Sequence, residues 1–450
     1  MVSINQAIQS VKDDLHNLLD QQSIFKLCKT VGHPWRMGVL NPAVLIHLFV
    51  MQILNRNTAC SHLRHLSGLS FTASAYCQAR MRLPLRVIVL LVRQACQRLD
   101  HLCGHSSSLW HGHRVWRIDG SSFSMPDTLP LRKYFGQPSN QLEGCGFPVA
   151  SFLARMHAGT GMLCDLIVGP LVANDISKVS LLHQRLQPND VVVGDRGFAS
   201  YAHLALVLQS KIHAVFRLHQ RVKVSFQPNR PCTFDLPHNQ RKGIPNSRWL
   251  RRIGKQDQLV TYFKPKSKPK WMIQTQYDAM PNQIVIRELC YQITRRGFRT
   301  RTVMLVSTLI DGDQYPKEEL VQLYGDRWQM EVDLRSLKIT LGMDVLHCKT
   351  VDGVLKELWM FVLVYNLVRL VMWQASQQQG VDVERISFVD ALRWLHRATP
   401  NHALEDLQIN PLRRDRVEPR VVKRRRKRYP LLGRPRHILR QAILKSEVTP

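Results

Sequence analysis

Between residues 112 and 218 short apolar runs alternate with amphipathic segments, and this alternation restricts the chain more than any other feature. RVWRIDGSS contains an apolar run that ends at Asp119. PVASFLARMHAGTGMLCDLIVGP reads as a hairpin that turns at Ala158-Gly159-Thr160-Gly161. Asp175 to Leu186 has a helix start signal in Asp-Ile-Ser. DVVVGD is a short buried strand ending at Asp195, Tyr201 to Gln209 a second helix, and HAVFRL (213–218) a further strand. A hairpin followed by strand–helix–strand units predicts an α/β fold, a mixed sheet flanked by helices.

Other textures surround this core, which the reading bounds at 106–219. Residues 1–105 read as a helical N-terminal domain, with segments such as AVLIHLFVMQIL and RVIVLLVRQACQRL. Its middle, joined at Gly68, suits either a helix-turn-helix DNA-binding unit or a plain helical bundle. Residues 220–302 are basic and extended and read as a β-rich insertion, with QIVIRELCYQI as a typical segment. The core resumes over 303–375, where one long helix is expected from about 316 to 342, opened by Pro316-Lys-Glu-Glu. A helical C-terminal region (376–412) and a basic tail (413–450) complete the chain. Leu358 to Trp373 is strongly apolar, but it is too short to span a bilayer and is interrupted by Asn366 and Arg369, so it reads as a buried core helix.

Charge narrows the partner. The chain has 63 Lys+Arg against 33 Asp+Glu, a net charge of +30, with an ordinary hydrophobic fraction of 44%. That positive surface exceeds what solubility needs and points to nucleic acid. Arg413 to Arg440 alone holds 13 basic and 2 acidic residues and reads as a salt-dependent DNA-contacting arm. The ten cysteines are scattered without a C-x-x-C pair, which argues against a disulfide framework or zinc site and for a reducing cytoplasm. The first residues, MVSINQAIQSVKDDLHNLL, read as an amphipathic helix and not as a signal peptide.

Asp119 and Asp195 each close an apolar strand, where carboxylates project into the crevice that carries ligands in α/β sheets. Either alone is more readily a turn or cap residue. The expected 316–342 helix adds a third acid. Tyr324, Arg327, Glu331 and Lys338 fall within a strip about 60° wide at 100° per residue, and Arg335 extends it. A solvated face with a Glu331–Arg335 pair would also account for part of this pattern. The excess of cations around one carboxylate better suits a phosphate-gripping face around a metal ligand. Phosphodiester cleavage in line needs an activated nucleophile and a stabilised leaving oxygen. Two Mg²⁺ ions about 4 Å apart serve both needs with a few carboxylate ligands.

At these residues the chain resembles the DDE transposases of bacterial insertion sequences, in the group marked by Tyr-x2-Arg-x3-Glu-x6-Lys. Tyr324, Arg327, Glu331 and Lys338 complete that motif, RIDGSS (117–122) and VVGDRGF (192–198) match the contexts of its two Asp residues, and the wide gap between Asp195 and Glu331 matches as well. The resemblance covers at least 110–375. It implies a ribonuclease H-like core with Mg²⁺, or Mn²⁺ in its place, at Asp119, Asp195 and Glu331, and two ions per site. It also implies phosphate contacts from Tyr324, Arg327, Lys338, Arg335 and Arg217. The implied partners are double-stranded DNA, both the terminal inverted repeats of an element and a target, with two copies of the chain in the synaptic complex. The implied location is the bacterial cytoplasm, at the nucleoid, with no membrane. Hairpin-forming relatives use a Trp in the insertion. TVMLVST (302–308) has none, and Trp249 and Trp271 read as packing residues. Two rivals stay open: a DNA-binding protein without catalysis, and a nuclease that hydrolyses without strand transfer. A Ser or Cys nucleophile finds no G-x-S-x-G elbow, and His111 and His113 read as loop residues.

Overall fold

The computed structural model describes residues 19–102, 109–138, 142, 144–171, 175–293, 302–397, 404–412 and 433–446. The expected N-terminal amphipathic helix and most of the basic tail lie outside these residues. Among the described residues five helices come first: α1 (Gln21–Thr30), α2 (Pro42–Leu54), α3 (Leu63–Ser67), α4 (Ala73–Arg82) and α5 (Leu85–Leu102). Asp20 and Asn41 cap α1 and α2 by accepting two backbone N–H bonds each, and Pro42 occupies the first turn of α2. The short α3 ends on Gly68 at φ +64°, as a left-handed helix cap requires.

The α/β part follows as β1 (Val115–Ser124), α6 (Leu129–Phe135), β2 (Val149–His157), β3 (Leu163–Pro170), α7 (Asp175–His183), β4 (Val191–Gly194), α8 (Tyr201–Gln209) and β5 (His213–Arg217). After these come β6 (Arg248–Gly254), β7 (Asp257–Phe263), α9 (Gln274–Asp278), β8 (Gln283–Gln292) and β9 (Thr302–Ser307). The strands form one nine-stranded sheet in the order β3-β2-β1-β4-β5-β9-β8-β7-β6. Strands β1, β4 and β5 are parallel, and every other pairing is antiparallel. Three antiparallel strands followed by two parallel ones, with helices on both faces, give the ribonuclease H-like arrangement. The strands of the insertion do not stand apart. Through β9, which pairs with β5, they prolong the same sheet.

Period-two alternation divides the core. Val192 of β4 faces a cluster with Val179, Leu182 and Leu204 of α7 and α8, whereas Val191 and Val193 face the other side. On that other side lie α10 (Lys317–Gly325), α11 (Trp328–Arg335) and α12 (Val351–Gln379); α13 (Phe388–Arg397) and α14 (Arg436–Ser446) follow in the chain. Helix α12 is buried from Leu358 to Met372 and packs on α2 and α5. Its two polar interruptions are structural. Asn366 bonds both the N–H (2.9 Å) and the carbonyl (3.0 Å) of Leu163, and Arg369 donates to the Thr160 carbonyl at 2.9 and 2.7 Å. Together they fasten the β2–β3 turn. There a side chain at Gly161 (φ +66°) would collide with the Arg369 guanidinium. Among the described residues no helix is long and apolar enough to cross a membrane.

One expectation needs correction. The 316–342 stretch is not one helix but α10, α11 and a π-helical turn (Ser336–Thr340). Gly325 weakens helix propagation, and the backbone from Arg327 to Met330 makes i→i+3 bonds instead of i→i+4. A tight turn before α11 and a loose one after it mean that the 100° wheel describes this stretch only in part.

Candidate active site

Asp119 does not end its strand. β1 continues to Ser124 against β2, but its parallel pairing with β4 stops at Arg117↔Val193. Asp119 lies two residues beyond that point, where β1 parts from β4, and Asp195 follows Gly194 directly at the end of β4. Both carboxylates thus stand at the C-terminal mouth of the parallel strands. Asp119 Oδ1 accepts the Gly120 N–H at 2.8 Å, and Asp195 Oδ1 accepts the Gly197 N–H at 2.7 Å. The end of β4 just before Asp195 needs a small residue. A Cβ at Gly194 would stand 2.8 Å from the Phe198 ring.

Across the crevice, the Arg327 guanidinium reaches Asp119 Oδ2 at 3.3 Å with Nη1 and Glu331 Oε1 at 2.8 Å with Nη2. Its Cζ lies 5.9 Å from the ring centre of the buried Tyr324. Lys338, on the π-helical turn, donates to Ser121 Oγ at 3.0 Å. The ion pair on this face is therefore Arg327–Glu331, whereas Arg335 is exposed at the end of α11 and takes part in none of these contacts. Arg217 closes β5, and its charge acts on Tyr291 and Tyr324.

Burial pushes the Asp119 carboxyl up to about 6. Arg327 and the Gly120 N–H oppose that shift, and the negative charges of Asp195 and Glu331 add to it. So Asp119 senses both other carboxylates, and one guanidinium bridges it to Glu331. As placed, Asp119 and Glu331 are held by this cation, and among the described residues no three His, Cys, Asp or Glu side chains are grouped as a metal would need.

Ser121 was legible only as part of the RIDGSS context. The signal for it is strand periodicity, because Asp119 and Ser121 share one face of β1. Trp328 also escaped the sequence reading, although it follows Arg327 directly and is 65% exposed. By contrast, Trp271 packs on α8 beside Ala202 and Ala205, and Trp249 is half-buried on β6. His111 and His113 lie in the turn before β1. There His113 is buried between Asn189 O (2.7 Å) and Tyr315 Oη (2.8 Å), so it is a structural tie.

The sequence profile described as a transposase DDE domain matches residues 110–367, more than half of the chain. The chain belongs to that family. It is a DDE transposase, an enzyme of DNA cleavage and strand transfer. It is 24% identical over 377 residues to the transposase InsG of insertion sequence element IS4 from Escherichia coli K12, covering 79% of this chain and 78% of that protein. It is 28% identical over 147 residues to the putative transposase InsZ of the same organism, covering 32% of this chain and 48% of that protein. Among solved structures, a piggyBac transposase synaptic complex with hairpin DNA overlays at a TM-score of 0.41 and 12% identity, over 84% of this chain and 78% of the other.

Proposed function

We propose that this transposase binds the terminal inverted repeats of an IS4-type insertion sequence, cleaves the element ends and joins the 3′-OH to target DNA. Asp119, Asp195 and Glu331 are its metal-binding carboxylates in this reading. The observation that carries it is the bridge from Arg327 to both Asp119 and Glu331, which draws one carboxylate of β1 and one of α11 to a single guanidinium.

The donor set suits hard divalent cations such as Mg²⁺ or Mn²⁺. It offers only oxygen ligands, and its three negative charges exceed the one positive charge of Arg327. Two such ions, when bound, would activate the attacking oxygen and stabilise the leaving one. Arg327, released from its carboxylates, is then free to grip a phosphate in bidentate fashion. Lys338, held near β1 by Ser121, supplies a point charge for the same strand of DNA. Tyr324 props the guanidinium from behind. Arg217 and Arg335 would contact flanking phosphates. Two copies of the chain would hold two element ends.

The hairpin step needs an aromatic surface for an unstacked base. Trp328 offers an exposed indole next to Arg327, which Trp249 and Trp271 do not. The test is incubation of the purified chain with its element ends and Mg²⁺ or Mn²⁺. Nicked and then joined products are expected. Binding without nicking would overturn the catalytic reading, and nicking without joined products would favour a nuclease.

A further inference from the structure

Toward the start of β1, from strand positions that alternate with that of Asp119, the protein gathers guanidinium groups around a cavity of about 260 Å³. Arg114 and Trp116 come from the start of β1, Arg155 from β2, Arg93 from α5 and Arg185 from the segment after α7. Arg155 stacks on Trp116, with its Cζ 4.2 Å from the ring centre, and Arg114 lies 5.8 Å from the same ring.

The charges here do not balance. Arg114 pairs with Asp190 at 2.9 and 3.1 Å. Asp165 is shared between Arg185 and, at 4.0 Å, Arg155. Four guanidinium groups therefore meet two carboxylates. Crowding shows in the neighbours: burial and then the Arg185 charge pull the Arg93 guanidinium below its usual range. His157 is lowered to about 4, by burial first and then by Arg114, Arg117 and Arg155.

Two donors in the wall also lack acceptors. Arg155 and Trp116 are 7% and 4% exposed, yet Arg155 Nε and Trp116 Nε1 have no hydrogen-bond partner. A buried donor left unmet costs about 1–3 kcal/mol. The cavity is thus short of negative charge, and Gln97 and Gln187 are the neutral polar side chains beside its four arginines. A phosphate group supplies negative charge and acceptor oxygens together, and arginine forks match its oxygens in pairs.

We propose that this cavity is a phosphate-binding site, separate from the reacting carboxylates, that takes either a free phosphate or a backbone phosphate of bound DNA. Nothing in the reading of Asp119, Asp195 and Glu331 depends on it.

The experiment uses the full chain, as wild type, Arg93→Gln and Arg155→Lys. Arg93 is half-buried and outside both ion pairs, so its loss should leave the fold intact. Arg155→Lys keeps the charge but removes the Nε donor and the fork. Melting without phosphate checks that each variant folds. Inorganic phosphate is then titrated against sodium chloride of matched ionic strength, and a 30-base-pair duplex is titrated at several salt concentrations.

Wild-type melting should rise with phosphate beyond the salt control, and each variant should bind about tenfold more weakly. If the occupant is DNA, the variants should also lose duplex affinity, and Arg93→Gln should lower the salt slope by about 1. If it is free phosphate, only the phosphate response should change. If folded variants match the wild type in both titrations, the proposal is wrong.

Discussion

Glu331 and Asp333 stand two residues apart on α11, in opposite electrostatic settings. The Glu331 side chain is 39% exposed, and its partner is Arg327, which it shares with Asp119. Asp333 is 2% exposed and meets Arg369 at 3.4 Å, a guanidinium also bound to Glu384 at 3.3 Å and to the Thr160 carbonyl. Asp333 and Asp119 are both pushed up to about 6, chiefly by burial. The surroundings differ in what could relieve that burden. Around Asp333 the compensating cation is itself sealed in, with its other donors satisfied. Around Asp119 and Glu331 one guanidinium is divided between two acids at the mouth of a crevice. A sealed network fixes the packing of α11 on α12, and an open, under-compensated one is receptive to added positive charge.

The largest effect that could break this contrast is chemical. Glu331→Gln should lower end cleavage on the order of 10³-fold or more, since several kcal/mol of transition-state stabilisation go with a lost metal ligand. Its melting temperature should stay near that of the wild type. Single-turnover cleavage beside a thermal melt reads both, and a well-folded, active variant would remove Glu331 from the site.

Arg369→Met should do the reverse. It strands Asp333 and the Thr160 carbonyl, and about 3–5 kcal/mol of stability should be lost in denaturant unfolding. If stability holds, the sealed network is not what fastens α11. Lys338→Ala should weaken end-DNA binding about tenfold, with a smaller loss for Ser121→Ala, as gel-shift titration would register. Equal affinities would place Lys338 outside the DNA path.

The smallest effect concerns a neutral buried pair on the far side of the sheet. His183 and His203 meet through their Nε2 atoms at 2.9 Å. Burial lowers His183 to about 4, and burial with the His183 charge lowers His203 well below its usual value. Below about pH 6.5 the unfolded chain takes up protons that the folded pair refuses. The pair's stabilising contribution is thus whole above 6.5 and drains away as pH falls toward 4. About 1 kcal/mol per histidine should be gone by pH 5.5. His183→Gln should flatten that acid limb of the melting curve, and an unchanged limb would refute the assignment.

Much of this architecture was legible because its signals are local. The hairpin, the two helices after it and the buried β4 follow from periodicity and turn chemistry within short windows. The convergence of Asp119, Arg327 and Glu331 was foreshadowed by motif spacing, although the helix wheel that suggested it holds only in part. What stayed hidden depends on partners distant in sequence. β1 outruns Asp119 because β2 continues to pair where β4 has stopped. Gly325 signals a weak helix, but the i→i+3 turn beside it reflects packing as well. That 220–302 would join the core sheet was not visible either, because β5↔β9 pairing links residues some ninety positions apart. Asp333 looked like any helix-surface acid until Arg369 came to meet it from α12.

The unbroken sheet has a mechanical meaning. A module hung on flexible tethers absorbs a push by swinging. Here β6, β7 and β8 are bonded edge to edge through β9 to β5, the strand that ends in Arg217 and lies beside β4, which carries Asp195 at its tip. A load applied at the outer edge would meet a continuous ladder of paired strands. Along that ladder it would be passed as twist, so the insertion would act as a lever arm whose short end is the floor of the crevice.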